Sequence, residues 1–444
     1  MIHIAPFRGL LYNPAKIRDL SRVVAPPYDV ISPEEQEKLY KKSPHNIVHL
    51  TLNREPNPYE EVARLFEQWQ ADGVFIHSDR PAIYFLSHRF PLNDGEEIER
   101  LGFIALTRIE EFSKGAIRPH ESTMEAPKKD RFQILRACKA NLSPIFSLYS
   151  QPKPIITQML SEHVSGITPT IQVKDPGKGM CLLWQITDDE IIRPVQHQMA
   201  DQSILIADGH HRYEAALNYR NHLRAERGSG SGQEAFNYVM MYFVNMTEKG
   251  LVILPTHRLV RDFPKIPFQK LDEALQRFFY LEPYPKTPDG RRWFLRALKG
   301  GRKKHHLIGA SFKKDPRYLI LRLKNKRSMQ RLAKDMSTPL RELDTTTLHL
   351  LILEHVLGLS PEVQVKEDAI RYLHEEEEAL KAVDREDYKA AFLLNPPRPE
   401  EIVAISQQGE KMPQKSTYFY PKTLTGLVIN KIDPNEEIQD GPNP

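Results

Sequence analysis

The sequence predicts an α+β fold, on three observations. Short apolar runs of strand character, such as "PAIYFLSHRF", "LGFIALTRI" and "NYVMMYFVN", recur along the chain. Segments with helical spacing lie between them, but strands and helices do not alternate strictly, as a purely doubly wound sheet would require. The chain has 444 residues, 40% hydrophobic and 27% charged, enough to bury several cores and to form two or three domains.

The elements follow in order. Asn57 and Pro58 open a helix, because asparagine caps and proline suits a first turn, and Val62, Leu65, Phe66 and Trp69 then recur at helical spacing. The two runs "PAIYFLSHRF" and "LGFIALTRI" flank Asn93, Asp94 and Gly95, which reads as a hairpin turn. Asp130 is placed to cap "RFQILRACKANL", and "SPIFSLY" returns as a strand. "KGMCLLWQI" is a strand, "DDEIIRPVQHQM" a helix and "SILIA" a buried strand. "GSGSGQE" reads as a flexible loop before "NYVMMYFVN". Further on, "LVILPTHRLV" and "YKAAFLLN" are strands, while "LDEALQRFF", "PLRELDTTTLHLLILEHVLG" and "PEEIVAISQQGE" are helical. "KSTYFYP" and "TGLVIN" are expected to finish the sheet. The domain boundaries expected are 1–265, 266–430 and a disordered acidic tail at 431–444.

Composition narrows the function classes. Cys138 and Cys181 are the two cysteines, and neither lies in a zinc or CxxC spacing, which fits a reducing cytosol. No basic flank leads into an apolar core at the N-terminus, and no run approaches the roughly 18 residues of a membrane span. A cytoplasmic chain without a membrane partner is expected. The net charge of +4 argues for no polyanion by itself, but 291–331 holds 15 Lys and Arg against one Asp. Such a run is either a solvated face or a polyanion patch, and a nucleic-acid partner is the weaker reading.

The densest chemistry is "SILIADGHHRYEAAL", where a strand turns into a helix. A helix start offers unpaired N–H groups and a partial positive charge, which suit a phosphate. Gly209 has no Cβ, so backbone and anion can approach, and Arg212 adds a planar fork matched to phosphate oxygens. His210 and His211 supply donors or a proton acceptor near neutral pH. A bare helix start capped by Asp208 is the simpler alternative. Adjacent histidines point different ways from a helix, so metal ligation by the pair is not expected. Neither a Walker loop nor a GxGxxG motif occurs. Elsewhere, "RPHESTMEAPKKDR" gathers His120, Glu121, Lys128 and Arg131, a carboxylate and an imidazole among cations. "VAPPYDVIS" sets Asp29 beside Tyr28, and "GEKMPQKSTYFYPK" offers Lys415, Ser416 and Thr417.

Taken together, "APPYDVIS", "PHESTMEAPKKDRFQILRACKANLSPIFSLY", "ADGHHRYEAAL", "LPTHRLV", "LDTTTLHLLILE" and "MPQKSTYFYPK" resemble the bacterial and archaeal family called domain of unknown function 1015, from about Ile4 to Val428. The "DGHHR" block further resembles the phosphate-binding box of the ParB/sulfiredoxin superfamily, which includes kinases of free L-serine using ADP or ATP. That resemblance implies a ParB/sulfiredoxin-like mixed sheet with an additional C-terminal α/β region. It places Gly209, His211 and Arg212 at phosphate-contacting positions. His210 falls where sulfiredoxin has its reactive cysteine, so sulfiredoxin activity is not expected. The expectation is a nucleotide-dependent phosphotransferase acting on a small hydroxylated metabolite, with ADP or ATP and Mg²⁺. In it Glu121 serves as general base with Asp29 and Asp208 as rivals, His210 either takes part in transfer or is one more hydrogen-bond donor, and His120, Lys128 and Arg131 contact nucleotide or substrate. The alternative is a regulatory nucleotide-binding protein without transfer chemistry.

Overall fold

A computed structural model describes residues 1–92, 95–175, 179–228, 230–263, 268–301, 306–364, 366, 368–385 and 387–439. The chain forms two compact units. One comprises Met1–Pro119, Thr123–Val252 and Pro421–Pro444, and the other His120–Ser122 and Ile253–Tyr420. The first unit is therefore built from three separate stretches of chain.

Its centre is a nine-stranded mixed sheet. In chain order the strands are β1 (Ile4–Ala5), β2 (Ile83–Pro91), β3 (Glu97–Arg108), β4 (Ile117–Arg118), β5 (Ile145–Tyr149), β6 (Ile171–Asp175), β7 (Gly179–Ile186), β8 (Ile204–Asp208) and β9 (Tyr238–Asn245). Their order across the sheet is β4-β8-β5-β9-β3-β2-β7-β6, with β1 paired to β3. β8 runs parallel to β4 and antiparallel to β5, and β9 runs parallel to β5. The α+β expectation holds. Asn93 and Asp94, the expected turn between β2 and β3, lie outside the described residues, but the two strands pair antiparallel as a hairpin requires.

Four helices matter for the site region. Pro58–Ala71 (α1) forms where Asn57-Pro58 predicts it. Glu125–Cys138 (α2) begins earlier than Asp130: Met124 is the N-cap residue, and Asp130 lies inside the helix. The expected cap fails because Pro127 falls within the first turn, where a missing N–H costs nothing. Asp189–Ala200 (α3) matches its run and tolerates Pro194. His210–Arg227 (α4) follows β8 directly, with Gly209 at its N-cap. "TGLVIN" does not finish the main sheet: Asn430–Lys431 pairs instead with Ala140–Asn141 in a separate two-stranded ladder. The acidic end divides. Residues 440–444 lie outside the described residues, whereas the Ile438 N–H donates to the Gln233 carbonyl and the Ala235 N–H to the Glu436 carbonyl, both at 2.8 Å. A buried Ile438 gives those bonds their reason.

The second unit is a six-stranded sheet with helices on both faces. Its strands are β10 (His257–Val260), β11 (Phe279–Pro285), β12 (Leu307–Phe312), β13 (Arg317–Leu323), β14 (Ile370–Leu373) and β15 (Ala390–Leu394), in the order β11-β13-β12-β15-β10-β14. Alternation along β13 shows both faces buried. Leu319 and Leu321 join one core with Leu348, Leu351 and Ile352, while Tyr318 and Ile320 join another with Phe294 and Leu298. Leu348–Val356 is wound as a π-helix, where the sequence predicts an ordinary one. Several cations of the basic run pair with acids. Arg291 pairs with Glu377 and Asp384, Lys299 with Glu376, and Arg317 with Asp272 and Asp315. Residues 302–305 of that run lie outside the described residues. Among the described residues no helix is long and apolar enough to cross a membrane.

Candidate functional site

The strand-to-helix turn is built by a break in the ladder. β8 pairs with β5 through Ile206 and Ser147, then shifts register before Asp208. A bulge of this kind bends the strand and re-aims the side chain that follows. Gly209 then takes φ +94°, a conformation that side-chain-bearing residues rarely adopt. A Cβ there would lie 2.9 Å from Nη2 of Arg212. The space that glycine frees is thus filled by the guanidinium, which lies over the turn.

Asp208 does not cap the helix, which has no side-chain cap at all. Its carboxylate instead accepts a 2.8 Å hydrogen bond from Nη2 of Arg212 and a second from Nζ of Lys422. All three side chains are largely buried, with 12%, 13% and 9% of Asp208, Arg212 and Lys422 exposed. Burial pushes the Asp208 carboxyl up, but Lys422 and Arg212 outweigh it and hold the group well below the usual carboxylate range. The remaining contacts of Arg212 run to Ser143 Oγ, at 2.8 Å, and to the Pro144 carbonyl. Its buried Nε has no hydrogen-bond partner among the described residues.

The histidines divide their work. His210 is buried and is the last of the groups that lower the proton affinity of Asp208. His211 Nε2 accepts a 2.9 Å hydrogen bond from the Met124 N–H, so in the neutral ring the proton sits on Nδ1. That bond ties the start of α4 to the start of α2. Thr123 Oγ1 donates to Glu214 at 2.8 Å, and Lys128 bridges Glu125 at 2.7 Å and Glu214 at 3.7 Å, tightening the same junction. The first turn of α4 carries no acid, the reverse of what a helix start favours for its own stability.

Beside this turn, within the same unit, lies a pocket enclosing about 540 Å³, open solvent at its mouth included. Its apolar wall includes Ile134, Leu142 and Val239, and its charged lining is Arg131 and Arg212, with no Asp or Glu. Arg131 stacks on Tyr28 with Cζ 3.8 Å from the ring centroid and donates to the Thr51 carbonyl at 2.9 Å. Burial pushes the Tyr28 hydroxyl up to about 12, so it stays protonated and can donate. Asn141 Oδ1 is taken by the Met240 N–H at 3.1 Å and Asn430 Nδ2 at 3.0 Å. With that oxygen occupied, the amide faces other partners as a donor. Both arginines are paired with neighbouring carboxylates, Arg131 with Asp130 and Arg212 with Asp208.

Residues 4–346 match the family model described as Protein of unknown function (DUF1015). The chain belongs to this family. No curated protein matches it. Among solved structures, a mutant free serine kinase in complex with ADP is similar at 11% identity and TM-score 0.33, covering 68% of this chain and 84% of the other. A conserved hypothetical protein from Pyrococcus furiosus is similar at 12% and 0.31, covering 69% and 90%. SbnI with C-terminal truncation from Staphylococcus aureus is similar at 10% and 0.36, covering 75% and 90%.

The predicted site residues of this DUF1015 family member are shared between its units. Asp29, Lys128, Arg131, Asp208, Gly209, His210, His211 and Arg212 belong to the first, His120 and Glu121 to the second. Asp29 is exposed in the short turn Tyr28–Val30. In its own unit Glu121 organises a loop. Its Oε1 accepts from the Ser416 N–H at 3.1 Å, the Thr417 N–H at 3.3 Å and the Thr417 hydroxyl at 3.2 Å. His120 is fully buried, with Nε2 2.8 Å from Thr417 Oγ1. Sequence reasoning missed Lys422, Asn141 and the stacking of Arg131 on Tyr28. Lys422 ends the quoted block "MPQKSTYFYPK", 214 positions from Asp208, and was not singled out there.

Proposed function

We propose that the first unit, a ParB/sulfiredoxin-like sheet domain, binds ADP or ATP and transfers a phosphoryl group to a small hydroxylated metabolite. L-Serine is the first acceptor to test. The observation that carries this reading is the pocket beside the α4 start, whose charged lining is two arginines and no acid. Backbone N–H groups of Gly209, His210 and His211, with Arg212, would hold phosphates. Arg131 on Tyr28, with Lys128 further along α2, would take the other end of the nucleotide or a substrate carboxylate. Mg²⁺ carried by the phosphates themselves would need few protein ligands. When bound, Mg²⁺ would neutralise charge on the transferring group.

Phosphoryl transfer needs mostly positioning and charge stabilisation, so a weak base suffices. Asp208 is a poor base, being ion-paired twice and held well below the usual carboxylate range. Asp29, exposed beside the pocket residue Tyr28, takes that role. Purified chain with Mg-ADP or Mg-ATP and L-serine, followed by phosphorus NMR, is expected to produce phosphoserine, and Asp29→Asn to bind nucleotide without turnover. No product from a panel of small alcohols would end the transferase reading. A second reading, a nucleotide-binding regulator, is favoured by the ion-paired state of Asp208. It predicts nucleotide binding with no phosphorylated product.

A further inference from the structure

Two large aromatic side chains of the second unit stand out in solvent. Tyr280 is 51% exposed and Trp293 57%. Tryptophan is normally well buried, and tyrosine and tryptophan left at the surface favour contact with a partner. Tyr280 lies on β11, the edge strand, opposite Arg322 of β13. Arg322 Cζ is 4.8 Å and Lys324 Nζ 5.4 Å from its ring centroid. Side chains alternate between faces along a strand, so Tyr280 shares a face of β11 with Glu282 and Tyr284. Tyr284 packs on Phe294 of the helix Pro288–Gly300, with ring centroids 6.2 Å apart, so this is the face that the helix covers. The same helix carries Trp293, with Arg296 one turn further on the same side.

The charges on this face are not balanced. Arg292 and Lys326 have acids of their own, Asp289 and Glu342, but Arg296, Arg322 and Lys324 make no ion pair among the described residues. Glu282, the acid on this face of β11, is bound to the Tyr284 hydroxyl. Two cations gathered over one ring without a carboxylate form a local positive field that an external anion would complete. Pro283 and Pro285 deprive β11 of two N–H donors, which makes it a poor template for an added protein strand. Phosphates for the cations and flat bases for the rings are what a single strand of nucleic acid supplies together.

We propose that this face of the second unit binds single-stranded nucleic acid, with Tyr280 and Trp293 stacking on bases and Arg296, Arg322 and Lys324 contacting phosphates. Every residue named belongs to the second unit, so the inference stands apart from the nucleotide reading of the first.

The test titrates the full chain into a fluorescently labelled oligothymidylate of about 15 nucleotides and follows anisotropy at several salt concentrations. The parent is expected to bind at low salt and to weaken steeply as salt rises. Arg322→Gln with Lys324→Gln is expected to weaken binding at least about tenfold and to flatten the log–log salt slope by about 1.4, or about 0.7 for each lost phosphate contact. Tyr280→Ala and Trp293→Ala are each expected to weaken it at least about fivefold with the slope unchanged. Lys38→Gln with Lys153→Gln, two exposed cations of the first unit, makes the same change in net charge and is expected to bind as the parent. No binding by the parent at low salt would overturn the proposal. So would unchanged affinity in the Arg322 and Lys324 double variant or in either aromatic variant, or an equal loss in the Lys38 and Lys153 control. Tighter binding to a duplex of the same length, or to anionic phospholipid vesicles, would overturn it in favour of another polyanion.

Discussion

At the scale of single residues, burial sets proton affinities that bear on stability. His257 on β10 is fully buried, and its Nδ1 accepts a 3.3 Å hydrogen bond from the Leu394 N–H on β15. A proton on Nδ1 would set one N–H against another. Burial, with Arg258 and then His374 and Lys299 nearby, pushes the ring down to about 3. The unfolded chain keeps a histidine near 6.5. As pH falls below about 6.5, the unfolded state takes a proton that the folded state refuses, and stability drops until the folded value is reached. Above about 6.5 the group adds no slope. The second unit is therefore expected to lose about 2 kcal/mol between pH 7.5 and pH 5 through this residue alone. Urea denaturation at both pH values, with His257→Gln as the flatter comparison, measures it. Parallel profiles for parent and variant would refute the assignment.

At the scale of elements, the β8–α4 turn shows what local pattern does and does not reveal. "ADGHHRY" announces a strand-to-helix turn because glycine, and few other residues, allows φ +94° there. The use of that glycine was not legible. The sequence suggests a phosphate over Gly209, whereas the guanidinium of Arg212 fills the space a Cβ would need. Gly209→Ala is accordingly expected to cost twice: about 1 kcal/mol or more of backbone strain, and displacement of Arg212 from Asp208 and Ser143. Thermal unfolding should show the first, and a loss of affinity in an ADP titration should show the second. A variant that melts and binds as the parent would contradict both. The misplaced cap at Asp130 has the same lesson. Proline and acids in "EAPKKD" read as loop, yet proline in a first turn is compatible with helix, and Asp130 was free to bind Tyr59 and Arg131 instead.

At the scale of the whole molecule, what the sequence hides is partnership across long stretches of chain. Part of the basic run at 291–331 meets acids that lie some distance further on, Arg291 with Glu377 and Asp384 and Lys299 with Glu376. In the same way, the first unit is closed by residues from the far end of the chain. Lys422 reaches Asp208, the Pro421 carbonyl accepts from the buried Arg100 at 2.8 Å, and Asn430–Lys431 pairs with Ala140–Asn141. Composition marked 433–439 as tail, since polar acidic residues carry no periodicity, but Ile438 is 7% exposed and Asn435 accepts from Arg227 at 2.9 Å. Two truncations separate these contributions. Removing 433–444 is expected to lower stability by about 2–3 kcal/mol, from one buried isoleucine and a few hydrogen bonds, while ADP affinity stays intact. Removing everything after Tyr420 deletes Lys422 and the second strand of the ladder. It is expected to abolish ADP binding and to expose the first unit to protease while the second unit, which ends at Tyr420, keeps its own fold. An unchanged melting temperature in the shorter truncation would make 433–439 a bystander. Retained ADP binding in the longer one would show that the site at Gly209 and Arg212 is complete without the C-terminal segment.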